Sequence, residues 1–327
     1  MSTHSVSTHS AARRRFLYHL SGLSAGAALI ACGDTTQAPA STTSPTPCPP
    51  DLPQHPQGLL SAEGVTFPFR QHDPAWGDEV MWDRDLVVQA AVELNGETRA
   101  DAEGLMRAFP DGNTLANEGC EVTALAMALR LFQPNASPPW TPSLLNEYAQ
   151  YYYYYTPCGL SLVPLYADLL SDVTEGLVQL AFKEERLSGV PGWPRRYAHT
   201  LPLVRAYRSL PVDRRSSYLV MLKTGTWDDT VASHYVLLDP SDSEGPDGED
   251  PLILDPAMPL DASGPWRLSD SAAAILEDPE IAAGWEAAGV EPTQICGVWV
   301  LVRFQEESRD ALLAPLVAAW ARELARG

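Results

Sequence analysis

Apolar positions recur at spacings of three and four between Glu121 and Phe132. Val122, Leu125, Ala126, Leu129 and Phe132 fall on one face, which predicts a helix. Pro134 and the Pro138-Pro139 pair end it. A second helix is predicted from Pro142 through Leu144, Leu145 and Tyr148, with Thr141 as N-cap and Pro142 at the first helical position. A short amphipathic helix is predicted from Leu160 to Leu170. Further along, the pattern changes to short, almost unbroken apolar runs. Ser217 to Lys223, His234 to Leu238, Leu252 to Pro256 and Gly297 to Phe304 read as strands of a buried sheet. The second and third are joined by an acidic, Gly-containing turn from Ser241 to Asp250, which predicts a hairpin. Phe67 to Trp76 reads as a short strand entering a turn, and residues 85–112 predict no element. Near the end, Leu312, Leu313, Leu316, Val317, Trp320 and Leu324 form a helical stripe. Helices first and antiparallel strands later predict an α+β fold, with a helix packed on an antiparallel sheet.

Tyr151 to Tyr155 are five tyrosines in succession. They cannot all face a core. Half-buried packing is the simpler expectation, and the wall of a substrate cleft is the sharper one.

The N-terminal region has a different character. Arg13-Arg14-Arg15-Phe16-Leu17 precedes an apolar stretch of about 16 residues, short of the roughly 20 a membrane span needs. A basic segment before such a stretch reads as a secretory signal, here with a twin-arginine pattern. Leu29-Ile30-Ala31-Cys32 resembles a lipobox, which implies lipidation at Cys32. The predicted organisation is a signal peptide over 1–31 and a Ser/Thr/Pro-rich tether over 32–60. A folded domain over 61–305 and a C-terminal helix over 306–327, packed on that domain, complete it. The expected location is outside the cytoplasm, with the lipid anchor on the periplasmic or cell-surface side of a membrane.

The formal net charge of −20 argues against nucleic acid as a partner, since phosphate binding needs a basic face. Of the five cysteines, Cys48 lies in the tether. Cys158 and Cys296 are candidates for a disulfide in an oxidising compartment, and two buried thiols are the alternative. No Cys/His group has the short spacing of a zinc site, and no cofactor is expected.

Cys120 carries the candidate chemistry. It stands where the polar turn Asn117-Glu118-Gly119 meets the apolar helix. The thiolate is the nucleophile, and a helix N-terminus favours an anion through its unpaired N–H groups and dipole. A backbone N–H at this turn is also suited to donate to a developing oxyanion. Cys120 read alone serves equally as a small core residue. His234 opens a predicted strand and is suited to take the thiol proton. Past the signal, the histidines are His55, His72, His199 and His234. His72 is a rival base. Asp255 closes the neighbouring predicted strand and is placed to orient His234, whereas Asp239 follows His234 on its own strand and points back poorly.

The blocks Phe69-Arg70-Gln71-His72-Asp73-Pro74 with Trp76, Asn117 to Met127, Thr141-Pro142, His234 to Leu238 and Leu254-Asp255-Pro256 occur in a definite order. Together they resemble the bacterial double-glycine-peptidase-like (bacteriocin-processing-peptidase-like) branch of the papain-like cysteine peptidases, over roughly residues 65–260. The resemblance implies a papain-like fold and a Cys-His-Asp triad carried by Cys120, His234 and Asp255. It also implies a glutamine as side-chain oxyanion donor, matched by Gln71, with Asn117 a weaker substitute. The sequence departs from the leader-peptide peptidases in the long separation of Gln71 from Cys120 and in lacking a transporter segment, so their substrates do not carry over. The expectation is a surface-tethered cysteine hydrolase acting on a peptide or amide. The alternatives are a catalytically inactive binding lipoprotein, and a thiol amidase or acyltransferase acting on a non-peptide or cell-wall substrate.

Overall fold

The structure is a computed structural model. It describes residues 67–326 except 86–87, 90–91, 93–97, 107–112, 152–154, 157–158, 161–169, 172, 175, 186–199, 216, 226–232, 243–249, 263 and 304–308. Cys32, Cys48, His55, His199 and the expected tether therefore lie outside the described residues. Among the described residues no helix is long and apolar enough to cross a membrane.

In chain order the first elements are α1 (Arg99–Met106), α2 (Leu115–Glu118), α3 (Cys120–Phe132) and α4 (Pro142–Tyr151). They are followed by β1 (Tyr155–Thr156), β2 (Gly159–Leu160), β3 (Val178–Glu185), α5 (Thr200–Arg208) and α6 (Val212–Arg215). Then come β4 (Tyr218–Gly225), β5 (Ser233–Leu238), β6 (Leu252–Leu254) and β7 (Trp266–Arg267). The chain ends with α7 (Leu268–Ile275), α8 (Pro279–Ala288), β8 (Ile295–Arg303) and α9 (Arg309–Leu324). The main sheet runs β3-β8-β4-β5-β6-β7, and every neighbouring pair is antiparallel. The fold is mixed α and β around an antiparallel sheet, as an α+β reading expects.

The apolar runs have a direct cause. Both faces of the sheet are covered, so both sets of alternating side chains are buried. Leu219 and Met221 of β4, Tyr235 and Leu237 of β5 and Trp299 and Leu301 of β8 face the same core as α3. Their neighbours Tyr218, Val220, Leu222, Val236, Leu238, Val298, Val300 and Val302 belong to a second core. There they meet Leu203, Val204 and Tyr207 of α5 and Leu312, Leu313 and Leu316 of α9. The Tyr218 hydroxyl donates to the Leu312 carbonyl and fastens α9 to the sheet.

The helix α3 is more deeply set than its stripe suggests. Glu121 through Leu129 are all buried, so the face opposite Leu125 and Leu129 is also covered. Ala124, Ala126 and Ala128 let other elements approach it closely. The second helix starts as expected, with the Leu144 amide donating to Thr141 Oγ1 at 3.1 Å. The hairpin also forms, with Leu237 opposite Leu254 and Leu238 opposite Ile253.

Three expectations differ from what forms. Residues 67–78 make turns rather than a strand. Asp73 Oδ1 accepts from the Ala75 amide at 2.9 Å, and the Trp76 and Gly77 amides both return to the Asp73 carbonyl, which folds the segment on itself. Leu160 does not begin a helix; it pairs with Tyr155 across the β1–β2 ladder. Residues 85–112, for which no element was expected, include α1. Tyr155 is buried, donates to Asn146 Oδ1 at 2.7 Å and meets Trp82 edge-on, so it is core packing. The side chains of Tyr151 to Tyr154 lie outside the described residues, as does that of Cys158. Cys296 is buried on β8.

Candidate active site

The candidate site lies where the start of α3 meets the ends of β5 and β6. Cys120 is the first residue of α3 and is half-buried. The turn that places it differs from an open helix end. The short α2 runs directly into it, and the Gly119 amide already donates to the Leu115 carbonyl at 2.9 Å. Gly119 is therefore not the source of an oxyanion N–H. Its backbone has φ −85°, so left-handed conformation does not explain the glycine. Close approach does: a Cβ there would lie 2.4 Å from the Leu115 carbonyl oxygen.

His234 sits one residue inside β5, opposite Thr224 of β4, and its side chain is almost wholly buried. Its Nε2 lies 2.6 Å from Asp255 Oδ1. An ionised carboxylate only accepts, so Nε2 carries the hydrogen. The Cys120 thiol acts on the same ring, raising the His234 pKa through hydrogen bonding and charge, and Nδ1 is the nitrogen left to meet it. The order across the site is thus thiol, imidazole, carboxylate. Three elements supply it: a helix start, a strand and the residue after the next strand.

Electrostatics favour a protonated His234. Burial alone would lower its pKa, but the Asp255 charge and hydrogen bond, together with Cys120, outweigh burial and raise it to about 10. Burial also disfavours the charged form of Asp255. His234 and the bonds from Ser271 and Ala257 more than offset this and hold its pKa below the usual aspartate value.

Asp255 is better placed than Asp239 to orient His234. The Ala257 amide donates to its Oδ1 at 2.7 Å, and the Ser271 hydroxyl of α7 donates to its Oδ2. Asp239 instead receives the Ser241 amide at 2.7 Å, in the turn beyond the far end of β5. Nothing in the sequence pattern marked Ser271, because α7 was not among the expected elements.

Gln71 is brought to the site despite its distance along the chain. Its amide donates to the Pro256 carbonyl at 2.9 Å, beside Asp255. Its Nε2 donates to the Ala116 carbonyl at 2.8 Å, one helical turn before Cys120. That bond leaves the second Nε2 hydrogen as the one suited to an oxyanion. Gln71 Oε1 is buried and makes no hydrogen bond. Asn117, the weaker substitute, is exposed. Arg70 braces the same loop through the Pro68, Pro259 and Ala262 carbonyls at 3.0, 3.4 and 3.2 Å.

His72 is exposed beside these groups. Its pKa is lowered by partial burial and by His234, with Asp255 acting in the opposite sense. It is His234 rather than His72 that bonds Asp255, and Cys120 acts on His234. No family model, curated protein or solved structure matches this chain.

Proposed function

We propose that the protein is a thiol hydrolase of papain-like type, acting on a peptide or amide bond. The observation that carries the reading is the 2.6 Å pairing of His234 with Asp255, on a ring whose pKa the Cys120 thiol also raises. In this mechanism the Cys120 thiolate attacks the acyl carbonyl and His234 donates its proton to the leaving amine. Asp255 keeps the ring oriented and stabilises its charge. The second Nε2 hydrogen of Gln71 and a backbone N–H at the start of α3 are the donors this mechanism assigns to the developing oxyanion. Water then attacks the thioester, with His234 as base, and frees the enzyme. The sequence features of residues 1–60 support an exported form anchored by lipid at Cys32.

Alkylation tests the nucleophile. Treated with iodoacetamide at mildly acidic pH, Cys120 is expected to react at least about ten times faster than a free thiol. His234→Ala is expected to remove that excess. Equal rates for Cys120 and a free thiol would overturn the reading. A peptide-library digest with the wild type and Cys120→Ala then identifies the bond cleaved.

A further inference from the structure

Asp255 is only 1% exposed, so each of its oxygens needs a partner. Oδ1 has two, His234 Nε2 at 2.6 Å and the Ala257 amide at 2.7 Å. Oδ2 receives the hydroxyl of Ser271, itself 1% exposed. That hydroxyl has one hydrogen, and an ionised carboxylate offers none in return, so Ser271 is the donor.

The helix that carries Ser271 is itself pinned. The Leu268 amide donates to the Pro251 carbonyl at 3.0 Å. Ser269 donates its amide and its hydroxyl to the two oxygens of Asp250, at 2.8 and 2.6 Å. Arg267 Nη1 donates to the Asp250 carbonyl at 2.8 Å. Asp250 lies just before β6, and Asp255 just after it. One folded unit, residues 250–271, therefore fixes both ends of the Asp255–Ser271 bond. Leu268 and Ala272 are buried on either side of Ser271 along α7, which holds the helix against the molecule.

We propose that Ser271 is a positioning residue for the site, holding the Asp255 carboxylate in the plane that aims Oδ1 at His234. Its catalytic consequence rests on the thiol-hydrolase reading, whereas its hold on Asp255 does not. Two effects follow from the geometry. Without the hydroxyl, Oδ2 loses its donor, and rotation about the Cβ–Cγ bond is restrained only through Oδ1. It also loses one of the bonds that favour its charged form, so it takes up a proton at higher pH. The other groups acting on Asp255 are His234 from β5 and Arg70 and His72 from the 67–78 turns, with Cys120 acting on His234 from α3.

The test follows the His234 ring N–H proton by NMR through an acid titration of the full chain. Ser271→Ala is expected to move the acid transition of this resonance up by about one pH unit. Ser271→Thr, which keeps the hydroxyl, is expected to leave it in place. Ser271→Cys, close in volume with a weak donor, is expected to follow alanine and serves if the alanine chain does not fold. Asp255→Asn is expected to abolish the transition, which assigns it. An unmoved transition in Ser271→Ala, or a threonine chain that follows alanine, overturns the proposal. The alkylation rate of Cys120 is measured in the same samples. If Cys120 is unreactive in every chain while the transition still moves, the hydrolase reading falls and the hold of Ser271 on Asp255 stands.

Discussion

At Gly119 a single hydrogen atom in place of a methyl group sets the position of the candidate nucleophile. A Cβ there meets the Leu115 backbone rather than a side chain that can swing away. We predict that Gly119→Ala costs about 1–3 kcal/mol, as forced overpacking does, and slows Cys120 alkylation. Urea denaturation and the alkylation rate check it, and an unchanged rate with unchanged stability would refute it. His234 and Asp255 give the same site a pH signature. His234 holds its proton more tightly folded than unfolded. Its contribution is therefore full below about pH 6.5 and is lost as pH rises through about 10. Asp255 has the opposite sense: its contribution is present above its ordinary value of 3.8 and is lost as pH falls through the lowered folded value. The stability gap between wild type and His234→Gln is thus expected to narrow as pH rises through about 10. A gap independent of pH would count against the ion pair.

At the scale of elements, α3 concentrates the risk. Leu129 is fully buried, and Leu129→Ala is expected to cost about 2–5 kcal/mol in urea denaturation. A loss under 1 kcal/mol would mean that α3 seats less tightly than its burial implies. The strands β4, β5, β6 and β8 and the helix α3 were legible in the sequence because strong local patterns carry them. β4 and β8 are apolar on both faces, and the acidic turn after β5 separates a matched pair of runs. β3 was not legible. It is an edge strand whose second half, Phe182-Lys183-Glu184-Glu185, mixes charge into the pattern, and its partner β8 lies far along the chain. The Cys120, His234 and Asp255 positions were legible because each stands at the boundary of a recognisable element. Their meeting, and the arrival of Ser271 and the Gln71 turn, depend on tertiary contacts that no local pattern encodes. The 67–78 segment misled because its aromatic residues resemble a strand, while Asp73 turns the backbone.

Across the whole molecule, the back layer is joined to the hairpin by charge. Arg208 of α5 meets Asp242, beyond β5, at 2.8 Å with both side chains fully buried, and Arg215 Nη1 donates to the Asp242 carbonyl. Removing one partner leaves a buried charge uncompensated. We predict that Asp242→Asn destabilises the fold by about 3–5 kcal/mol. Because the pair is out of solvent, the loss should change little between low and high salt, and a loss erased by salt would contradict the buried pairing. The layered construction has a consequence for how the thiol can be used. Cys120 is carried by the helical layer on one face, whereas His234 and Asp255 are carried by the sheet. The reach from sulfur to imidazole is therefore a gauge of how well two layers seat. A chemical label on one side chain reports the packing of the core against whose edge it lies.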